Sequence, residues 1–178
     1  GQCPDDAAMT ELLMALARPP LQGQPGLTQL MAREAGLEFD PWSQDDGESL
    51  DPADRARLAA LGCQRCRRVG DGSAWLEQQG LLILRQLVLH EQAVDLATPF
   101  RSLVETSAPL RQRCLELWKR LQACDEAERQ GLMRGLEGRR IAAGPSGAPS
   151  RGRPDVLPTG RNFYSVDLRG LPTEAAWD

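Results

Sequence analysis

The chain has 178 residues with 41% apolar and 26% charged side chains, which is ordinary for a soluble globular protein and long enough to bury a real core. Aromatic residues make up 4%, so the core must rest on Leu, Ala and Val. The formal net charge of −4 hides an asymmetry: Arg134 to Arg169 carries +4, leaving −8 on the remainder. An acidic body with one basic segment and few aromatics argues against a nucleic-acid surface, where basic charge and stacking rings are interleaved. No apolar run approaches the ~20 residues of a membrane span, and Arg85 interrupts the longest, Leu81-Leu82-Ile83-Leu84. There is no initiator Met and no signal-peptide pattern, and the chain stops at Trp177-Asp178. It therefore reads as an internal piece of a longer polypeptide. Five cysteines without a secretory signal point to a reducing cytoplasm.

In chain order, Asp6 to Arg18 places Met9, Leu12, Leu13 and Leu16 on one helical face, and Pro19-Pro20 stops the helix. A short helix follows from Leu27 to Ala35 and ends at Gly36. Asp45-Asp46-Gly47-Glu48-Ser49 is an acidic loop. Asp51-Pro52 is an N-cap with Pro at the first helical position, closed by Gly62. Cys63-Gln-Arg-Cys66 has the spacing of half a zinc site or a redox pair. No second close pair follows it, so the plainer reading is an incidental pair. Ser73 is the expected cap of the longest helix, running to about Val94 through Leu76, Leu81, Leu84, Leu87 and Val88; its wide apolar surface marks it as central. His90 near its end reads as a helix-end residue. Pro109 opens a helix through Leu110, Cys114, Leu117, Trp118 and Leu121. Asp125 and Glu128 form a capping box for a further short helix carrying Leu132, Met133 and Leu136, ended by Gly138.

After Gly138 the character changes. Of the 24 residues from Gly144 to Asp167, eight are Gly or Pro, which excludes a regular helix. Arg140-Ile141-Ala142 reads as a short extended piece and Arg161 to Val166 as a strand. A strand needs neighbours, and these are expected from the missing parent chain. The fold class is thus a mainly α, bundle-like helical region, 1–138, followed by a Gly/Pro/Arg-rich loop and short β segment, 139–178, belonging to an α/β domain of the parent. Arg151, Arg153 and Arg161 sit on this stiffened backbone, and arginine forks suit bidentate grip on carboxylates or phosphates.

Gly135-Leu-Glu-Gly-Arg-Arg140, then GPSGAPSRGRPDVLPTGRNFYSVD from Gly144, then Leu171-Pro-Thr173 with Ala175-Ala-Trp177, resembles the large subunit of cobaltochelatase, CobN type. The magnesium-chelatase H subunit has a related pattern around Leu-Pro-Thr-Gly, which places both in one superfamily. The resemblance is specific over about 45 C-terminal residues and looser before them. It implies ATP-dependent insertion of Co²⁺, as substrate metal, into hydrogenobyrinic acid a,c-diamide in cobalamin biosynthesis, a nitrogen–metal ligase reaction. It also implies AAA+ motor subunits that carry ATP and Mg²⁺. Consistent with that, the sequence has no GxxxxGK[ST] loop, and its single lysine, Lys119, lies mid-helix. Against the carboxylate arms of a corrin, Arg151, Arg153 and Arg161 are the expected grips, with Thr159 and Asn162 as hydrogen-bonding partners. Asp155 and Asp167 are candidate proton acceptors or transient oxygen ligands for the ion, and Tyr164 packs on the ring edge or donates its hydroxyl. Lasting metal ligands are not identifiable. Two alternatives remain open: a magnesium-chelatase H-type subunit acting on protoporphyrin IX, and a non-catalytic helical module contacting the motor subunits.

Overall fold

The structure is a computed structural model that describes residues 5–20, 23–43, 45–90, 96–149 and 153–163. Six helices account for most of it: α1 Asp6–Ala17, α2 Leu27–Glu34, α3 Pro52–Ala60, α4 Val69–Val88, α5 Thr98–Thr106 and α6 Ala108–Leu136. α3 starts where the capping logic of the sequence places it, and α1 has a cap of the same kind. Asp5 accepts the Ala8 N–H at 2.8 Å, and Asp51 accepts that of Ala53 at 2.8 Å with Pro52 opening the first turn. Gly36 and Gly62 stand past the helix ends at φ +68° and +109°.

α4 is the centre, packed against α1, α2, α5 and α6, with Leu76, Ile83 and Leu84 fully buried. It begins one turn before Ser73. Asp71 rather than Ser73 holds its start, accepting the Arg67 and Arg68 N–H groups at 2.9 Å each. Those two donors, with the neighbouring arginine charges, hold the Asp71 carboxyl below its usual range. At the far end the described helix stops at Val88, short of Val94, and His90 takes φ +57°. Gly80 is there for packing: a Cβ would stand 2.9 Å from the Met14 Cε of α1.

Two features depart from the sequence reading. α5 was not anticipated; its start is fixed from outside, the Ala97 N–H donating to the buried Gln79 of α4 at 3.0 Å. The second is that α6 runs unbroken for 29 residues, so no new helix begins at Asp125. Glu128 does not turn back to cap; its carboxylate accepts the Thr159 hydroxyl instead. Glu126 pairs within the helix, with Arg129 at 2.7 Å and Gln130 at 2.7 Å. With neither Gly nor Pro between Leu110 and Gln130, a capping pattern alone does not interrupt a helix.

The N-terminal half of α6 belongs to the core through Leu110, Cys114, Leu117, Trp118 and Leu121. Arg113 clamps it to the α1–α2 connection, donating to the carbonyls of Pro19 and Pro25 at 3.1 Å each. Asp54, 2% exposed, ties the loop after α2 to α3, accepting the N–H groups of Glu38 and Phe39 and the guanidinium of Arg57. Cys63 and Cys66 lie together with Cα atoms 5.9 Å apart, a spacing that admits a disulfide.

Beyond α6 the chain folds back. β1 Ala143–Gly144 pairs in parallel with β2 Asn162–Phe163, Ala143 opposite Asn162 and Gly144 opposite Phe163. The described part of the expected strand therefore finds its neighbour within the chain, and the extended piece lies slightly later than Arg140-Ile141-Ala142. A 3-10 turn, Pro154–Val156, sits between the two strands. Among the described residues no helix is long and apolar enough to cross a membrane.

Candidate functional site

The loop that returns from β1 to β2 lies along one face of the second half of α6. Arg120, Ala127, Gly131 and Gly135 recur at the seven- and four-residue intervals that align side chains on a helix, with Glu128 next to Ala127. Each meets the loop or its flank. Arg120 acts electrostatically on Asp155, and the Thr159 hydroxyl donates to Glu128. The Gly160 backbone lies against Gly131 and Ala127, and Ile141 covers Gly135. Gly160 adopts φ +86°. A Cβ there would stand 2.6 Å from the Glu128 nitrogen, so only glycine fits both the conformation and the approach. Val156 and Leu157, 2% and 5% exposed, anchor the loop, each burial contributing about 1.5–3 kcal/mol.

Of the sequence-derived site residues, four have side chains within the described set. Arg153 and Asp155 hold each other in a two-bonded ion pair, Nε to Oδ1 and Nη2 to Oδ2 at 2.9 Å each. The Arg153 hydrogen bonds hold the Asp155 carboxyl below the ordinary range. In this arrangement Arg153 is engaged, and Asp155 is a weakly basic counter-ion. Thr159 is committed to Glu128. Arg161 differs: it is exposed and, among the described residues, has no ion-pair partner. Its stem lies over Gly144, where a Cβ would stand 2.7 Å from Arg161 Cδ, so the missing side chain lets the arginine lie flat beside β1. The backbone of Asn162 is in β2. Arg151, Tyr164 and Asp167 lie outside the described residues.

Beside Arg161 opens a groove of about 310 Å³ lined by Gly131, Leu132, Gly135, Leu136, Ile141 and Gly160. Its lining is chiefly apolar. Leu132, Met133 and Leu136, the apolar residues of the expected short helix, are 64%, 48% and 74% exposed. Around them stand Arg134 and Arg140, also exposed and without ion-pair partners among the described residues, while Arg139 pairs with Glu137 at 3.2 Å. This apolar end of α6 escaped the sequence reading, because three leucine-type residues at helical spacing look the same whether covered or bare. The available signal was Gly131 and Gly135 on one face, which marks a close approach rather than a buried helix. Among the described residues no three His, Cys, Asp or Glu side chains gather as a metal site.

The family model for CobN/magnesium chelatase matches residues 1–178. This chain belongs to the CobN/magnesium chelatase family. Within that family it is similar to the aerobic cobaltochelatase subunit CobN of Pseudomonas aeruginosa, 41% identical over 181 residues that take in 99% of this chain and 14% of that protein. The aerobic cobaltochelatase subunit CobN of a Sinorhizobium species is 38% identical over 200 residues, 100% of this chain and 15% of that protein. An uncharacterized protein of Methanocaldococcus jannaschii is 41% identical over 68 residues, 38% of this chain. The chain thus spans about one seventh of the length of its CobN-type relatives. No solved structure matches it.

Proposed function

We propose that this chain is the part of a CobN-type cobaltochelatase subunit that receives one edge of a corrin while the longer protein, driven by ATP-hydrolysing AAA+ partner subunits, inserts Co²⁺. The observation that carries the reading is the apolar groove at the end of α6 with Arg161 on its rim, without an ion-pair partner among the described residues and on the family motif itself. A corrin with carboxylate arms is a flat apolar body with anionic tips. Leu132, Leu136 and Ile141 match the body, and Arg161 and Arg140 match the tips. A groove of about 310 Å³ takes an edge of such a ring, and the remaining wall belongs to the rest of the subunit.

The roles divide accordingly. Arg161 grips a carboxylate, held flat by Gly144 and aimed by the loop that Gly160 and Thr159 dock on α6. The Arg153–Asp155 pair shapes that loop. Metal entry releases protons from ring nitrogens. Arg153 holds Asp155 ionised, so the proton-accepting role is assigned to Asp167, and substrate-binding or catalytic roles to Arg151, Asn162 and Tyr164, on the family motif alone. Co²⁺ is substrate here, not a resident ion. Two relatives are named cobaltochelatase subunits, which supports cobalt as the inserted metal; the corrin, rather than protoporphyrin, is our assignment. The absence of a phosphate loop agrees with ATP and Mg²⁺ on separate motor subunits.

The test is corrin titration of the full-length subunit carrying this sequence, followed by absorbance and tryptophan quenching. Arg161→Ala is expected to weaken hydrogenobyrinic acid a,c-diamide about tenfold, the loss of one charge-assisted contact. Unchanged affinity in a variant with unchanged circular dichroism sinks the assignment of Arg161, and preference for protoporphyrin IX sinks the cobalt reading.

A further inference from the structure

A second cleft lies away from the α6 groove, where the end of α1, the acidic loop and the first turns of α4 meet. It measures about 590 Å³ and is lined by Arg18, Trp42, Asp46, Ser73 and Glu77 among others. Arg18 bridges it, donating to Glu77 at 2.6 Å with its guanidinium 5.4 Å from the centre of the Trp42 ring. Two polar groups are left over. The Ser73 hydroxyl is buried, the residue 7% exposed, and has no hydrogen-bond partner among the described residues; the buried Arg18 Nε–H has none among them either. Burying an unpaired hydroxyl or N–H is unfavourable, and native proteins rarely leave two such groups in one cleft without a use.

The chemistry of the unpaired groups defines what fits. Ser73 Oγ–H and Arg18 Nε–H both donate, so they call for a carbonyl-type acceptor. Asp46 supplies a carboxylate with no hydrogen-bond or ion-pair partner among the described residues, and it stands in a run of acids, Asp45, Asp46 and Glu48. Arg18 and Glu77 neutralise each other, so the cleft carries the single negative charge of Asp46. An acceptor and a cation joined by a short spacer describe an extended polypeptide with a basic side chain.

We propose that this cleft is a docking site for a basic peptide segment of a partner protein. The segment's backbone carbonyl accepts from Ser73 and Arg18, its Arg or Lys side chain pairs with Asp46, and its stem lies beside the exposed edge of Trp42. The site is independent of the tetrapyrrole reading, because it shares no residue with the α6 groove.

The probe is acetyl-Gly-Arg-Gly-amide, titrated into the ¹⁵N-labelled 178-residue chain, with the citrulline and glutamate counterparts as controls. The expected result is saturable shifts at the Trp42 indole N–H and the Asp46 and Ser73 amides with the arginine peptide. The citrulline peptide is expected to bind about tenfold more weakly, for want of the charge, and the glutamate peptide not to bind. Asp46→Asn should reproduce the citrulline loss. Ser73→Ala should weaken the arginine peptide while leaving the thermal midpoint unchanged or raised, because it deletes an unpaired buried hydroxyl; a purely structural Ser73 would move only the midpoint. Absence of saturable shifts at these three positions, equal binding of the citrulline or glutamate peptide, or full affinity in both variants overturns the proposal.

Discussion

The carbonyl oxygen of Gly160 occupies the space over Gly131 into which any side chain on that turn of α6 would project. The family-defining loop and the long helix thus meet backbone to backbone, and the position of Arg161 one residue later depends on that contact.

Alanine substitution separates close approach from simple flexibility. Gly131→Ala gains up to ~1 kcal/mol of helix propensity but meets the Gly160 backbone, an overpacking cost of about 1–3 kcal/mol. The expected net result is a lower melting temperature and faster amide exchange at Val156 and Leu157. Gly135→Ala, whose Cβ meets only the flexible Ile141 Cδ1 at 3.3 Å, should instead raise the melting temperature. Equal effects at the two glycines would show that the loop does not rest on α6.

Thr159→Val removes the hydroxyl that bonds Glu128 while keeping the shape of the side chain. The expected loss is about 0.5–1.5 kcal/mol in urea unfolding. A double-mutant cycle with Glu128→Ala should return most of that value as coupling energy. Strict additivity would contradict the contact.

The Arg153–Asp155 pair gives a pH signature. The Asp155 carboxyl is held below its ordinary value of 3.8, chiefly by the Arg153 hydrogen bonds, so the folded protein releases that proton more readily than the unfolded chain. The pair's contribution is therefore present above pH 3.8 and is lost as pH falls through the lower, folded value. Carboxyl NMR should follow Asp155 titrating below 3.8, and Arg153→Gln should bring it back up. An unshifted titration in the parent protein would falsify the pairing.

The two free cysteines among the described residues, Cys114 and Cys124, should differ sharply in reactivity. Burial pushes the Cys114 thiol up to about 11, whereas Cys124 is half-buried and donates to the Arg120 carbonyl at 3.3 Å. At pH 8 iodoacetamide should label Cys124 first and reach Cys114 only after denaturant is added. Because the folded value is raised, the protonated Cys114 stabilises the fold fully below pH 9.0, and that contribution is lost as pH rises toward 11. Rapid labelling of Cys114 in the native chain would contradict its place in the core.

Local chemistry alone determined much of this protein. Asp51 as a cap, Gly36, Gly62 and Gly138 as terminators, and the inward positions of α4 and of the first half of α6 were all legible, because caps and 3.6-residue periodicity act over a few residues. The dipeptide-rich C-terminal motif likewise carried the family by itself. Tertiary structure decided the rest. That Glu128 serves Thr159, 31 residues away, and not a helix start is a partnership no local pattern shows. Whether Leu132 and Leu136 are core or surface depended on what packs over them, which periodicity does not encode. Arg153 pairs with an acid two residues away, whereas Arg161 has no ion-pair partner among the described residues, a difference set by the folded loop and not by residue type. Long-range partners are chosen by the three-dimensional path of the chain, and for the arginines of the signature loop that choice separated the loop-shaping pair from the exposed grip.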